Sequence, residues 1–145
     1  EIGVLLPPWW LTDADRLLRY RLGQIQAHPE AEPWLIRPIA IRSDPAQAVG
    51  ITNFHGPPDE RGFAEIGYSL HPEFRGQGYA IEAVRAMFGW AAANHGVSRF
   101  RASIAPDNDR SVNLVTKLGM TRVGVQWDED DGLELIYTVE GWGTA

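Results

Sequence analysis

Apolar positions along the chain recur at two spacings, and each change of spacing marks a new element. Between Thr12 and His28, the residues Leu17, Leu18, Leu22 and Ile25 fall at helical intervals and predict one apolar stripe. Thr12 is placed to cap that helix with Asp15 near its positive end, and Pro29 makes it stop by His28. Trp34 to Arg42 reads as a strand with an edge or bulge at Pro38, followed by a turn at Ser43-Asp44-Pro45. Gln47 to Phe54 and Phe63 to Leu70 read as two more strands around the loop His55-Gly56-Pro57-Pro58-Asp59. The period then becomes helical: Ile81, Val84, Phe88 and Ala91, with Met87 alongside, predict a helix from just after Gly78 to Asn94-His95-Gly96. Arg99 to Ile104 is a strand. Asp107 or Asn108 caps a helix with the stripe Ser111, Leu114, Val115 and Leu118, and Gly119 is its left-handed stop. Thr121 to Trp127 and Leu133 to Val139 form a hairpin. The order is helix, three strands, helix, strand, helix, two strands, which is an α+β domain with helices on a mixed sheet.

Size and composition narrow the chemistry. A chain of 145 residues, 44% apolar and 22% charged, buries one core, and neither a linker nor a repeat divides it. With no cysteine, disulfide frameworks, Cys-zinc sites, iron–sulfur clusters and thiol nucleophiles are excluded. No apolar run approaches the roughly 20 residues of a membrane span, and no basic-then-apolar leader opens the sequence. The expectation is therefore a cytoplasmic protein with no membrane partner. His28, His55, His71 and His95 stand at no metal-like spacing, so no metal is expected.

Charge is placed unevenly. Acids and bases balance through Arg122; beyond it come Asp128, Glu129, Asp130, Asp131, Glu134 and Glu140 without a base, so the whole net charge of −6 lies there. Phosphate-backbone binding needs the opposite sign, so nucleic acid is not an expected partner, whereas a cation is favoured. For Asp128 to Asp131 alone, a solvated turn is the simpler reading.

The segment richest in chemistry runs from Glu65 through Ala80. A strand enters a turn containing Gly76 and Gly78, and the turn opens a helix. Glycines let backbone approach a ligand, and the unbonded N–H groups at a helix start converge on one spot with the positive dipole end behind them. That combination suits a pyrophosphate. No Gly-Lys-Ser/Thr follows, so this is not a Walker A loop, and Ile81 occupies the third glycine position of a dinucleotide fingerprint.

Arg75-Gly76-Gln77-Gly78-Tyr79-Ala80 resembles the acetyl-CoA turn of the GNAT superfamily of N-acetyltransferases: Gln or Arg, two residues, Gly, one residue, then Gly or Ala. Ala64-Glu65-Ile66-Gly67-Tyr68 resembles that family's fourth strand. Asn108-Asp109-Arg110-Ser111 with Lys117-Leu118-Gly119-Met120 resembles its Asn-x-x-Ser…Lys-x-Gly-Phe segment, Met120 replacing Phe. The spacing is most similar to the RimJ/RimL-like branch that acetylates ribosomal-protein N-termini. The resemblance implies a mixed, mostly antiparallel twisted sheet with helices packed on both sides. It also implies a single domain over residues 1–145. The family's first strand is reduced to Ile2 to Leu6, which points to a truncated start.

The implied activity is acetyl transfer from acetyl-CoA, as co-substrate and without a metal, to a small-molecule or peptide amine by a monomer or homodimer. Ser69, Leu70, His71, Arg75, Gly76, Gln77, Gly78, Tyr79, Ala80 and Asn108 are the implied cofactor-binding residues. The attacking amine must be neutral; an α-amine with a pKa near 7.7–8.0 partly is, whereas Lys near 10.4 mostly is not. A general base is therefore useful. Glu65 is the first candidate and Glu134 the second, with a solvated strand residue as the competing reading of Glu65. The family's usual Tyr donor to the leaving thiolate falls at Val115, so this chain departs from the pattern. Ser111 is the replacement candidate and Tyr137 a distant one. A backbone-bonded hydroxyl explains Ser111 equally well, and a plain N-cap role explains Asn108. Trp9, Trp10 and Trp34 are candidates for the acceptor pocket, with core packing favoured for Trp34. The competing functional class is a family member that binds acyl-CoA without turnover.

Overall fold

The structure, a computed structural model, describes residues 3–144. Ile2, part of the reduced first strand, lies outside the described residues. The chain clusters into two units, residues 1–57 with 67–84, and 58–66 with 85–145.

The first unit is built on strand β3, Ala46–Phe54, which is buried from Ala48 to Phe54. The short β1, Val4–Leu5, pairs parallel with it, and β2, Arg37–Ile41, pairs antiparallel with a register slip between Ile39 and Ala40. That slip lies one residue beyond the bulge expected at Pro38. The expected strand start at Trp34 is corrected: Pro29–Trp34 form a 3-10 helix, which follows from a Pro at each end of Pro29-Glu30-Ala31-Glu32-Pro33. Helix α1, Pro8–Ala27, starts four residues earlier than Thr12 because Pro8 sits at a helix start, where its fixed φ and missing N–H are tolerated. Thr12 is thus inside the helix, its hydroxyl donating to the Pro8 carbonyl at 3.1 Å.

The stripe of α1 also differs from the apolar pattern. Trp10, Ala14 and Arg21 are its buried positions, while Leu22 is 55% exposed. Burying a guanidinium requires partners. Arg21 donates to Asn53 Oδ1 and to Gln24 Oε1, each at 2.9 Å. Trp10 and Ala14 pack on Ala48 and Ile51.

Strand β4, Phe63–Leu70, passes from the second unit into the first, and helix α2, Tyr79–His95, passes back. In the first unit, Gly50 of β3 is obligatory: a Cβ there would lie 2.2 Å from the Ser69 carbonyl oxygen. The second unit pairs β4 parallel with β5, Arg99–Ile104, at Glu65 and Arg101. Strand β7, Gly132–Val139, pairs antiparallel with β5 and with β6, Thr121–Asp128. Strand order is β1-β3-β4-β5-β7-β6, with β2 also on β3: a mixed, mostly antiparallel seven-stranded sheet in an α+β chain. Helix α3, Asp109–Lys117, follows β5.

The second unit's core centres on Phe100, stacked on Phe88 at 3.9 Å, with the Trp142 ring edge-on to both. Neither phenylalanine is exposed. Phe100→Ala is expected to lower the unfolding free energy by about 3–5 kcal/mol, measured by denaturant titration. A loss below ~1 kcal/mol would show that this stack is not central to the core.

Candidate active site

In the first unit, β4 ends at Leu70 and a 3-10 turn, Pro72–Phe74, leads through Gly76 and Gly78 into α2. Gly76 and Gly78 have φ of +77° and +82°, the left-handed region where a Cβ is disfavoured. A Cβ placed on either would meet no atom within 4 Å. Space is therefore not what excludes a side chain here; backbone conformation is. Arg75, Gly76, Gln77 and Gly78 are exposed, and Tyr79 and Ala80 are half-buried at the first turn of α2. The opening N–H groups of that helix lack intrahelical acceptors. Backbone donors, an exposed Arg75 and the positive dipole end together can receive a phosphate.

A cavity of about 250 Å³ in the same unit is lined by Trp9, Trp10 and Asp13 of α1 and by Ser69, Leu70 and His71. Trp10 is held by its indole N–H, which donates to the Gly50 carbonyl at 2.8 Å. Trp9 lies 4.3 Å from the His71 ring. The His71 backbone N–H donates to the Val49 carbonyl at 2.9 Å, and its Nδ1 accepts from the Glu73 N–H at 3.4 Å. Nδ1 as acceptor places the proton of a neutral ring on Nε2. Trp34 is in the core, 5% exposed and edge-on to Phe54. Asp13, which no motif singles out, joins Trp9 and Trp10 in the cavity wall.

In the second unit, one polar network crosses four strands and contains both carboxylates singled out by the sequence. The Ser103 hydroxyl bonds Glu65 Oε1, and Arg101 Nη2 bonds Gln126 Oε1. Gln126 Nε2 lies 3.2 Å from Ser103 Oγ and 2.9 Å from Glu134 Oε1. Arg101 Nε approaches Glu65 Oε1 at 3.7 Å. Alternation explains the gathering. Phe100, Ala102 and Ile104 of β5 are buried, so Arg101 and Ser103 point to the other face. Glu65 is the parallel partner of Arg101, and Gln126 is the antiparallel partner of Glu134. All five side chains are half-buried.

The acetyltransferase (GNAT) domain family matches residues 4–121. The chain belongs to the GNAT acetyltransferase family. It is 38% identical over 81 residues to the uncharacterised N-acetyltransferase YjdG of Bacillus subtilis, 56% of this chain and 48% of that protein. The chain thus spans about half the length of the curated relative it matches. Among solved structures, the ribosomal-protein-S5-alanine acetyltransferase of Vibrio fischeri superposes with a TM-score of 0.65 over 94% of this chain and 73% of its own, at 18% identity. The microcin C7 self-immunity acetyltransferase MccE, solved with acetyl-CoA and AMP, gives 0.67 over 90% and 71%, at 19% identity. These two likenesses concern the fold.

Within this GNAT chain, the remaining sequence candidates lie as follows. Asn108 is the N-cap of α3, its Oδ1 accepting from the Ser111 N–H at 3.2 Å. Ser111 is half-buried on the first turn. Val115, where the resemblance places Tyr, is fully buried in the core. Tyr137 is buried opposite Ala102, on the sheet face away from Ser103 and Glu134. Arg101, Ser103 and Gln126 carry no sequence motif. Their signal is only the period-two alternation of β5 and β6, which shows shared faces but not which strands are neighbours. Among the described residues, no group of three His, Asp or Glu side chains is placed to hold a metal ion, and no helix is long and apolar enough to cross a membrane.

Proposed function

We propose that this GNAT domain transfers the acetyl group of acetyl-CoA to a primary amine. The observation that carries the reading is the glycine turn, with Gly76 and Gly78 both left-handed and a helix start immediately behind them. That turn receives the pyrophosphate, and the main-chain groups of Ser69 and Leu70 engage the pantetheine. The amine nitrogen attacks the thioester carbonyl carbon. A C–N bond forms, the C–S bond breaks, and the sulfur leaves as a thiolate. Glu65 takes the amine proton, directly or through one water. Ser111 supplies the hydrogen bond to the departing thiolate, replacing the tyrosine absent at Val115. The fold neighbour named for ribosomal-protein S5 alanine makes a protein N-terminus one acceptor to test; a small-molecule amine is the other.

Thiol release from acetyl-CoA across a panel of peptide and small-molecule amines tests this reading. Amine-dependent release supports it. The burial of Val115 at the expected donor position favours one second reading, a domain that binds acyl-CoA without turnover. Calorimetric binding of acetyl-CoA with no release across the panel decides for that alternative.

The charge distribution adds a prediction. Asp128 Oδ1 accepts the N–H groups of Asp130 and Asp131 at 2.8 and 2.9 Å, so this carboxylate closes the β6–β7 turn. The exposed Asp130 and Asp131 carboxylates remain at its surface. A protonated amine is drawn towards such charge, and this attraction is screened over about 8 Å at physiological salt. The acceptor KM should rise about two- to threefold between low and physiological salt with kcat unchanged. Asp130→Asn with Asp131→Asn should raise the low-salt KM to the same value. A flat salt titration would leave these residues as a solvated turn.

A further inference from the structure

We propose that Ser103 and Gln126 are positioning residues that hold Glu65 as an oriented carboxylate, with Arg101 fixing the direction of the whole chain of hydrogen bonds. The inference rests on the reading of Glu65 as the general base. Its own ground is the count of donors and acceptors. A guanidinium only donates, so the Gln126 oxygen must face Arg101 Nη2. That leaves the Gln126 amide nitrogen with two hydrogens. They serve Ser103 Oγ at 3.2 Å and Glu134 Oε1 at 2.9 Å. Ser103 Oγ, already accepting from Gln126, has a single hydrogen, and it goes to Glu65 Oε1. The Ser103 oxygen keeps a second lone pair, so it is the Arg101 guanidinium beside Glu65 that settles this last direction, by favouring the ionised, accepting carboxylate. At the end of the chain the contacted oxygen of Glu65 is an acceptor, which is the form a base needs.

The charges around Glu65 agree with that direction. Arg101 on β5 is its cationic neighbour, 3.7 Å away through Nε, an atom that is buried and makes no hydrogen bond. Glu134 on β7 is the second carboxylate, and Gln126 stands between it and Ser103 as a neutral spacer. Arg99, on the same face of β5 as Arg101, is engaged by Glu140 at 2.9 Å. A hydrogen bond to the charged form of a carboxylate favours that form. Removing the Ser103 hydroxyl therefore shifts Glu65 towards protonation.

The test compares Ser103→Ala and Ser103→Thr with the unaltered protein across pH. Ser103→Ala should move the acidic limb of kcat/KM up by about one pH unit, the size expected for losing one hydrogen bond to a charged group. The loss should thus be about tenfold on the acidic side and shrink to within about twofold above pH 8. KM for acetyl-CoA should not change. Ser103→Thr, which keeps the hydroxyl, should restore the profile. A pH-independent loss, an unchanged profile, or failure of Thr to rescue would overturn the proposal. Carbon-13 titration of the Glu65 carboxylate by NMR gives the same answer without turnover: its midpoint should rise in Ser103→Ala and return in Ser103→Thr, and a fixed midpoint would overturn it. The two readings fail separately. If Glu65→Gln keeps its full rate, the base lies elsewhere; if Glu65→Gln is slow while Ser103→Ala keeps the original profile and midpoint, Ser103 does not position Glu65.

Discussion

Glu65→Gln is expected to lower kcat at neutral pH by roughly 10²-fold, within the range for losing a general base. The substitution keeps the shape of the side chain and its capacity to accept from the Ser103 hydroxyl, but it removes the carboxylate proposed to take the amine proton. It also removes the negative charge beside Arg101, 3.7 Å away. The deficit should diminish towards high pH, where more of the acceptor is neutral before it binds, and affinity for acetyl-CoA should be unchanged. Stopped-assay kinetics from pH 6 to 9 with a saturating amine would show this. A full rate at pH 7 would move the assignment to Glu134. That carboxylate belongs to the same network through Gln126, so the double variant Glu65→Gln with Glu134→Gln then becomes the informative one.

Element order and the glycine turn were legible in the sequence because each has a local cause. The Phe63–Leu70 strand and the Arg99–Ile104 strand follow from short-range composition, and Gly76 and Gly78 mark a backbone conformation that only neighbouring residues determine. What local pattern could not supply was partnership. Leu22 and Ile25 match helical periodicity as well as any pair, yet the first helix buries Arg21, because Asn53, more than thirty positions away, offers it an acceptor. Apolar spacing cannot register a charged residue whose desolvation is offset by a remote strand.

The network around Glu65 has the same character. Glu65 stands out by its match to a family strand, and Glu134 by its place in the last hairpin. Neither route indicated that Gln126 would link Glu134 to Ser103, and Ser103 to Glu65. Those links arise from the register of β4 on β5 and of β6 on β7. Register is a pairing between distant segments, and a one-residue slip would turn every member to the opposite face. The first helix shows a local signal overridden: Thr12 is a good cap residue, yet the helix starts on Pro8 and the Thr12 hydroxyl bonds the Pro8 carbonyl from inside it.

Gly78→Asp is expected to weaken acetyl-CoA binding by roughly 10²-fold or more while leaving the domain folded. Two effects arise. At φ +82° a residue with a Cβ is strained by about 1–2 kcal/mol, and because Asp tolerates this region better than most residues, the strain alone is modest. The larger effect is electrostatic: a carboxylate at the mouth of the α2 N-terminus occupies the donors and presents negative charge to an incoming pyrophosphate, a juxtaposition that costs several kcal/mol. Since a Cβ at this position meets no atom within 4 Å, the added side chain displaces nothing in the folded protein, and the stability loss is confined to that backbone strain of about 1–2 kcal/mol. Gly78→Ala separates the two effects: it introduces the backbone strain, which lowers stability in the free and bound protein alike, without the charge, so its affinity for acetyl-CoA should stay within about threefold of the unaltered chain. Calorimetric titration of acetyl-CoA into the three proteins gives the comparison. Equal affinity for Gly78→Asp and the unaltered chain would show that the pyrophosphate binds elsewhere, and the assignment of the glycine turn would fall with it.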